Sequence, residues 1–142
     1  MNKKMNDMKI YNKRLINNQK NFIYPNGLSL YIIKQVFDNK KYYKIGITQD
    51  LNKRLYTYNT GNANKIYYDY YIPVESKSIN NCLKKSMKNY EYIKNKEFYK
   101  IKLLDIFNFV INCDNKIKYI FCGYCHKKYI ITNFTQHKCL IK

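Results

Sequence analysis

Acidic residues are scarce in this chain, and long apolar runs are missing from it. Nine Asp and Glu residues stand against 27 Lys and Arg, which gives a formal net charge of +18 over 142 residues. No stretch reaches the roughly 18 consecutive apolar residues that a bilayer span needs. The basic start also lacks the hydrophobic stretch of a signal peptide. The five cysteines are odd in number and lie mostly toward one end, which disfavours a secreted disulfide scaffold. We therefore expect an intracellular protein with reduced thiols and no membrane partner.

The unbalanced positive charge predicts a polyanionic partner. A sequence pI near 9.6 with dispersed lysines is typical of proteins that bind nucleic acid. The alternative is that an AT-rich genome has enriched Lys, Asn, Ile and Tyr, and that many lysines only solvate the surface. That alternative does not account for the shortage of carboxylates, so nucleic acid is the partner we expect.

Hydrophobic periodicity predicts an α+β domain between two smaller segments. We expect a basic, flexible arm over 1–26, a folded domain over 27–113 and a cysteine-containing segment over 117–142. Period-two patterns predict strands, and period-3.6 patterns predict helices. The strands fall at about 28–36, 41–47 and 66–72, with a turn at Asp38-Asn39-Lys40 between the first two and a short extended piece at 97–99. The longer helices fall at about 76–90 and 102–112.

The stretch 44–62 predicts the end of a strand, a turn, a short helix and a polar loop. Gly46 has no side chain, so another group can approach the strand closely there. Asp50, or Thr48 before it, is the expected N-cap of the helix. The helix has one apolar face, formed by Leu51, Leu55 and Tyr58. Arg54 cannot share that face, so we expect its guanidinium to point toward the sheet edge or the solvent.

Two pieces of text in this region resemble the GIY-YIG superfamily. The first is LYII at 30–33, and the second is YKIGITQDLNKRLYTYNTGNA at 43–63. The order and spacing are most similar to a branch that is common in phages and large DNA viruses and is described as DNA-binding. The resemblance covers about 28–112. It implies a small antiparallel sheet flanked by helices, in the order β-β-α-β-α-α.

The resemblance also implies roles for particular residues. In the family, a tyrosine from each signature lies near the attacking water, an arginine holds the scissile phosphate, and a glutamate binds a divalent metal. Tyr31 matches the first tyrosine and Arg54 matches the arginine, whereas Lys44 stands in place of the second tyrosine. The implied DNA-binding residues are Lys44, Thr48, Lys53, Arg54, Asn59 and Asn62.

The metal-binding carboxylate of the family is replaced in this chain. Asn80 stands where the glutamate is expected, and a neutral amide oxygen is a weak ligand for Mg²⁺. Lys84 stands where the family has histidine, and its charge opposes a cation. We therefore expect a protein that binds duplex DNA and whose nuclease activity is weakened or lost. The alternative is an active endonuclease that uses Mg²⁺ or Mn²⁺, with Glu75 or Glu97 as the replacement carboxylate.

The C-terminal segment has the ligand spacing of a zinc finger. Cys122, Cys125, His137 and Cys139 form the pattern C-x2-C-x11-H-x-C. Thiolates and imidazole are ligands that zinc prefers, and four of them complete a structural site. Such a C2HC-type finger would aid DNA binding or bind a protein. Two alternatives are thiols in a disordered tail and a zinc-stabilised interaction module whose charge is incidental. The oligomeric state stays open.

Overall fold

A computed structural model of the protein describes residues 22–61 and 66–132, so most of the predicted basic arm lies outside it. The described residues form an antiparallel sheet and three α-helices, which confirms the predicted α+β class. The strands are β1 Ser29–Phe37, β2 Lys40–Thr48, β3 Tyr70–Pro73, β4 Glu91–Tyr92, β5 Asn95–Tyr99, β6 Tyr119–Cys122 and β7 Lys128–Ile130. The helices are α1 Leu51–Asn59, α2 Ser78–Ser86 and α3 Leu103–Cys113, with a 3₁₀ turn at Lys88–Tyr90. Among these residues no helix is long and apolar enough to cross a bilayer.

The seven strands lie in the order β4-β5-β2-β1-β3-β6-β7. At the centre, β1 and β2 form a hairpin in which Ser29 lies opposite Thr48 and Phe37 lies opposite Lys40. The two turn residues, Asp38 and Asn39, have φ angles of 52° and 63°. Two left-handed residues match the twist of a tight hairpin, and Asp and Asn tolerate that conformation well. The predicted turn and both strand positions are therefore confirmed.

Alternation along the strands gives the sheet two different faces. One face contributes Leu30, Ile32, Tyr70 and Ile72 to a core that α2 and α3 complete. The other face contributes Tyr31, Ile33 and Tyr71 to a second core, which contains Leu51 and Leu55 of α1. We call these the α2/α3 face and the α1 face. Residues of β2 follow the predicted alternation, because Tyr43, Ile45 and Ile47 pack against the first core.

A disulfide between Cys82 and Cys113 joins α2 to α3. The sequence interpretation expected all five cysteines to be reduced. That expectation is wrong for this pair. Cys82 does follow the apolar stripe of α2, but the stripe faces the end of α3, where Cys113 lies 5.8 Å away between Cα atoms. Helical spacing alone identified the buried side of α2 without identifying the neighbour there.

The described part of the C-terminal segment is built into the sheet. Tyr70 and Tyr71 of β3 pair with Cys122 and Phe121 of β6, and β7 then pairs with β6. Pairing with β6 covers the polar backbone edge that β3 would otherwise expose. The segment expected to form a separate zinc finger is therefore continuous, up to residue 132, with the main sheet.

Asp69 fastens this hairpin to the centre of the protein. Its buried carboxylate accepts hydrogen bonds from the backbone N–H of Lys34 (2.6 Å) and from the hydroxyl of Tyr124. Its backbone carbonyl accepts from the N–H of Gly123 at 2.8 Å. A buried carboxylate that receives two donors is stabilised where an unpartnered one would be costly.

Candidate nucleic-acid interface

The start of α1 determines where Arg54 points. Asp50 is the N-cap, because its carboxylate accepts a hydrogen bond from the backbone N–H of Lys53 at 3.0 Å. Thr48, the other predicted candidate, braces the cap by accepting from the backbone N–H of Asp50 at 3.2 Å. Burial of Leu51 on the apolar side then leaves Arg54 exposed, as expected from the helical spacing.

Tyr31 lies across Gly46 on the α1 face of the sheet. The two residues are opposite each other on β1 and β2, and a Cβ added to Gly46 would overlap the phenol of Tyr31. Only glycine leaves room for the ring in this position. The Tyr31 hydroxyl oxygen then lies 2.7 Å from the Tyr58 hydroxyl oxygen of α1, within hydrogen-bond distance.

Tyr58 is surrounded by the two cations of this region. The Lys44 Nζ lies 4.7 Å from the centroid of the Tyr58 ring, and the guanidinium carbon of Arg54 lies 5.9 Å from it. Glu97 of β5 reaches the same place, with its Oε2 at 3.1 Å from the Lys44 Nζ. We name this group of five side chains the tyrosine site: Tyr31, Lys44, Arg54, Tyr58 and Glu97.

Burial and hydrogen bonding shift the pKa values of Tyr31 and Lys44 in the tyrosine site. Burial raises the pKa of Tyr31, and the hydrogen bond with Tyr58 raises it further. For Lys44, partial burial is the largest effect and lowers its pKa, but hydrogen bonds to Tyr58 and Glu97 and their charges outweigh it. The net result is a raised pKa. At neutral pH the site therefore holds the Lys44 cation, which Glu97 partly neutralises, the Arg54 cation and the protonated Tyr31 phenol, and this combination suits an anionic oxygen.

The other predicted DNA-binding residues are distributed around the tyrosine site. Thr48 and Lys53 line, with Arg54, a shallow depression of about 460 Å³ on the surface. Asn59 instead closes the loop after α1, because its side chain exchanges hydrogen bonds with the backbone of Ile66 at 2.6 and 3.0 Å. Asn62 lies outside the described residues.

Asn80 and Glu97 occupy very different places. Asn80 is on α2, whose neighbouring residues Ile79 and Leu83 are buried on the α2/α3 face, away from α1. Glu97 contributes a carboxylate to the tyrosine site itself, although Lys44 already pairs with it. In the two described stretches no group of three or more His, Cys, Asp and Glu side chains comes together. The tyrosine site offers one carboxylate, that of Glu97, and this does not fit a tightly held Mg²⁺, which needs several oxygen ligands.

The Cys122–Cys125 turn places two thiols at the end of β6, where Cys122 is buried in the α2/α3 core and Cys125 is half-buried against it. The backbone N–H of Tyr124 points to the Cys122 sulfur at 3.4 Å, and the Cys125 sulfur lies 3.5 Å from the Tyr129 hydroxyl. His126 follows with a φ of 60°, and its ring stacks on Phe22 with centroids 3.5 Å apart. The remaining predicted zinc ligands, His137 and Cys139, lie outside the described residues.

Sequence reasoning missed Tyr58 as a member of the site. It assigned Tyr58 to the apolar face of α1 and considered Glu97 only as a substitute metal ligand. A signal for Tyr58 was present, because it follows Arg54 by four residues and such side chains are neighbours on a helix. No comparable signal in the sequence shows that Glu97 meets Lys44, since that contact joins β2 and β5.

A comparison with family models identifies the family of this chain. A model of the T5orf172 domain matches residues 29–130, which is more than two thirds of the chain. The chain belongs to the T5orf172 domain family. T5orf172 domains occur in phage and viral proteins and are related to GIY-YIG-type nucleases. The T5orf172 match begins at β1 and ends in β7, so it includes the tyrosine site and the Cys122–Cys125 turn. No curated protein and no solved structure matches the chain.

Proposed function

We propose that this protein binds duplex DNA and has weakened or lost the nuclease activity of its relatives. The observation that carries the proposal is the tyrosine site, where Lys44 and Arg54 converge on Tyr58 beside the Tyr31 hydroxyl. The two cations and the Glu97 carboxylate leave one net positive charge, which with a phenol donor matches the charge and the oxygens of one backbone phosphate. The T5orf172 family supports the proposal, because its members are related to nucleases that act on DNA.

The net charge of +18 supports a binding mode dominated by phosphate contacts. Each neutralised phosphate releases condensed counterions, so affinity falls as salt rises. Contacts of this kind hold DNA in position without reading its sequence. The tyrosine site, which has one arginine and one lysine, accounts for a small part of such a footprint.

We expect the logarithm of the binding constant to fall with log salt with a slope of roughly −4 to −8, if about five to nine phosphates are contacted. Arg54→Ala is expected to weaken binding to every duplex sequence by a similar factor, because a phosphate contact is independent of sequence. Fluorescence anisotropy across a salt series measures both. Lys85→Ala, which changes an exposed lysine of α2 on the opposite side of the sheet, is the control. A salt-independent affinity, or equal effects of the two substitutions, would contradict the proposal.

The loss of nuclease activity is tested by incubating the protein with supercoiled plasmid and Mg²⁺ or Mn²⁺. We expect little or no nicking, because the tyrosine site holds a single carboxylate, Glu97, which already pairs with Lys44, and Mg²⁺ needs several oxygen ligands. Asn80 lies on the α2/α3 face, away from the tyrosine site, so we expect Asn80→Glu to leave nicking low, both alone and combined with Lys84→His.

An active endonuclease is the second candidate, and the position of Glu97 favours it. Glu97 is the carboxylate that lies in the tyrosine site. If the unmodified protein nicks plasmid, and both Arg54→Ala and Glu97→Gln abolish nicking, the endonuclease function replaces our proposal. Nicking that survives Arg54→Ala indicates a contaminating nuclease instead.

We further propose that Cys122, Cys125, His137 and Cys139 bind one structural zinc ion. The turn that brings the first two thiols to one end of β6 supports this. Ile130 lies opposite Tyr119, so the chain leaves β7 about 10 Å from the Cys122–Cys125 turn, at roughly 3.3 Å per strand residue. The seven residues from Ile130 to His137 can extend over roughly 23 Å, which is enough to return to the thiols.

A further inference from the structure

A groove beside β6 carries three lysines that the tyrosine site does not use. It has a volume of about 260 Å³ and lies between the end of β3 and the residues that follow α3. The Nζ of Lys128 lies 4.4 Å from the centroid of the Tyr119 ring, and that ring is 44% exposed. We call it the lysine groove; its lining includes Pro73, Lys116, Lys118, Tyr119 and Lys128.

The lysine groove and the tyrosine site open on the same face of the sheet. Tyr31 lies opposite Tyr71, and Tyr71 lies opposite Phe121. Phe121 in turn lies opposite Lys128. Because residues directly opposite each other on antiparallel strands point to the same side, Lys128 shares the α1 face with Tyr31. Three strand spacings of about 4.8 Å separate the two positions, roughly 14 Å in total.

The end of the sheet offers a path between the two sites. Tyr24 packs against Tyr71, which lies between Tyr31 and Phe121 in the register of the sheet, so this part of the α1 face is covered. Ser29 lies between Thr48 and Pro73 in the register of β2, β1 and β3. Thr48 lines the depression beside Arg54, and Pro73 lines the lysine groove. A chain of phosphates that crosses this end therefore meets cations on both sides of Ser29.

We propose that the lysine groove is a second phosphate-binding subsite of the nucleic-acid interface. This inference rests on the proposed function and extends it from a single phosphate contact to a footprint. At 3.4 Å per nucleotide along one strand, a separation of roughly 14 Å corresponds to about four nucleotides. The Tyr119 ring holds the Lys128 ammonium in place through a cation–π contact, so less side-chain freedom is lost when a phosphate binds.

Two carboxylates also line the groove, and they differ in what they do. Asp114 accepts a hydrogen bond from the backbone N–H of Lys116 at 3.1 Å, so it stabilises the turn after α3. Glu75 is exposed at the rim and adds negative charge near the expected phosphate path. Glu75→Gln is therefore expected to tighten binding two- to five-fold at low salt, because it removes a repulsion.

The test compares two triple variants of equal charge on a duplex of about 20 base pairs, whose binding constant is measured across a salt series. The groove variant is Lys116→Gln with Lys118→Gln and Lys128→Gln. The control variant is Lys40→Gln with Lys41→Gln and Lys100→Gln, three exposed lysines at the β1–β2 turn end of the sheet. We expect the groove variant to reduce the magnitude of the log–log slope by about 2 to 3, and the control by less than 1. Thermal unfolding of both confirms that they fold.

The possible results separate this inference from the proposed function. If the parent binds, Arg54→Ala weakens binding and the two triple variants behave alike, the groove proposal is overturned and the proposed function stands. If the parent does not bind duplex DNA, both fail. An unchanged or weakened affinity in Glu75→Gln counts against the groove independently, since that substitution leaves every lysine in place.

Discussion

Gly123→Ala is expected to destabilise the protein by about 3 kcal/mol, at the upper end of what an overpacked position costs. A Cβ at position 123 would overlap the backbone carbonyl of Tyr68, and a backbone group cannot move aside as a flexible side chain can. The clash would also lengthen the hydrogen bond from the Gly123 N–H to the Asp69 carbonyl. Urea unfolding followed by circular dichroism measures the loss of stability.

Gly27→Ala is the matched control for this clash. Gly27 has a φ of 120°, but nothing lies within 4 Å of an added Cβ. Its substitution therefore carries only backbone strain, about 1 to 2 kcal/mol. If both variants lose the same stability, packing around Gly123 is looser than the structure indicates, and the clash has no cost of its own.

The consequence of Gly123→Ala extends to the tyrosine site. The Tyr68 hydroxyl donates to the backbone carbonyl of Leu51 at 2.8 Å, and Leu51 is the first residue of α1. A displacement of Tyr68 is therefore passed to the helix that carries Arg54. We expect folded Gly123→Ala protein to bind DNA more weakly than folded Gly27→Ala protein.

Removal of zinc is expected to have the largest effect of all. Structural zinc sites in small folds contribute about 10 to 16 kcal/mol of apparent binding free energy at neutral pH. We expect one tightly bound zinc per chain, with chelator treatment unfolding about 118–142. Because β6 pairs with β3, the loss should also lower the melting temperature of the rest of the sheet. Mass spectrometry measures the zinc content per chain, and thermal unfolding measures the change in melting temperature.

Substitutions distinguish zinc binding from a general need for cysteine. Cys122→Ser and His137→Ala are each expected to abolish zinc binding. The double variant Cys82→Ser with Cys113→Ser removes two cysteines that form a disulfide away from the turn, and it should retain the metal. If protein purified without chelator contains no zinc, the zinc proposal is wrong.

Local signals in the sequence predicted the local structure well. Asp50 caps α1 because its side chain reaches a backbone N–H three residues away, and that distance is readable from the chain. The turn at Asp38 and Asn39 is equally local. Gly46 was expected to allow a close approach, and the ring of Tyr31 makes that approach from the neighbouring strand. These features depend on contacts over a few residues or within one hairpin.

The features that were missed depend on contacts between distant segments. The Cys82–Cys113 bond requires the relative position of two helices, which helical periodicity does not contain. The pairing of β6 with β3 joins residues about fifty positions apart, and the ligand spacing of the cysteines drew the interpretation toward a separate finger. The contact between Glu97 and Lys44 was missed for the same reason, because it depends on the pairing of β5 with β2.

The Cys82–Cys113 bond joins residues that are 31 positions apart and so closes a covalent loop, which contains β4, β5 and Glu97. Closing a loop of this length removes conformational entropy from the unfolded chain worth roughly 3 to 4 kcal/mol. The enclosed edge of the sheet can therefore open only as far as the two helices allow. Reduction would release that tether and increase local opening at β5 before the centre of the sheet is affected. Glu97 would then pair with Lys44 for a smaller fraction of the time, so the redox state of two cysteines on the α2/α3 face would change the net charge of the tyrosine site on the α1 face.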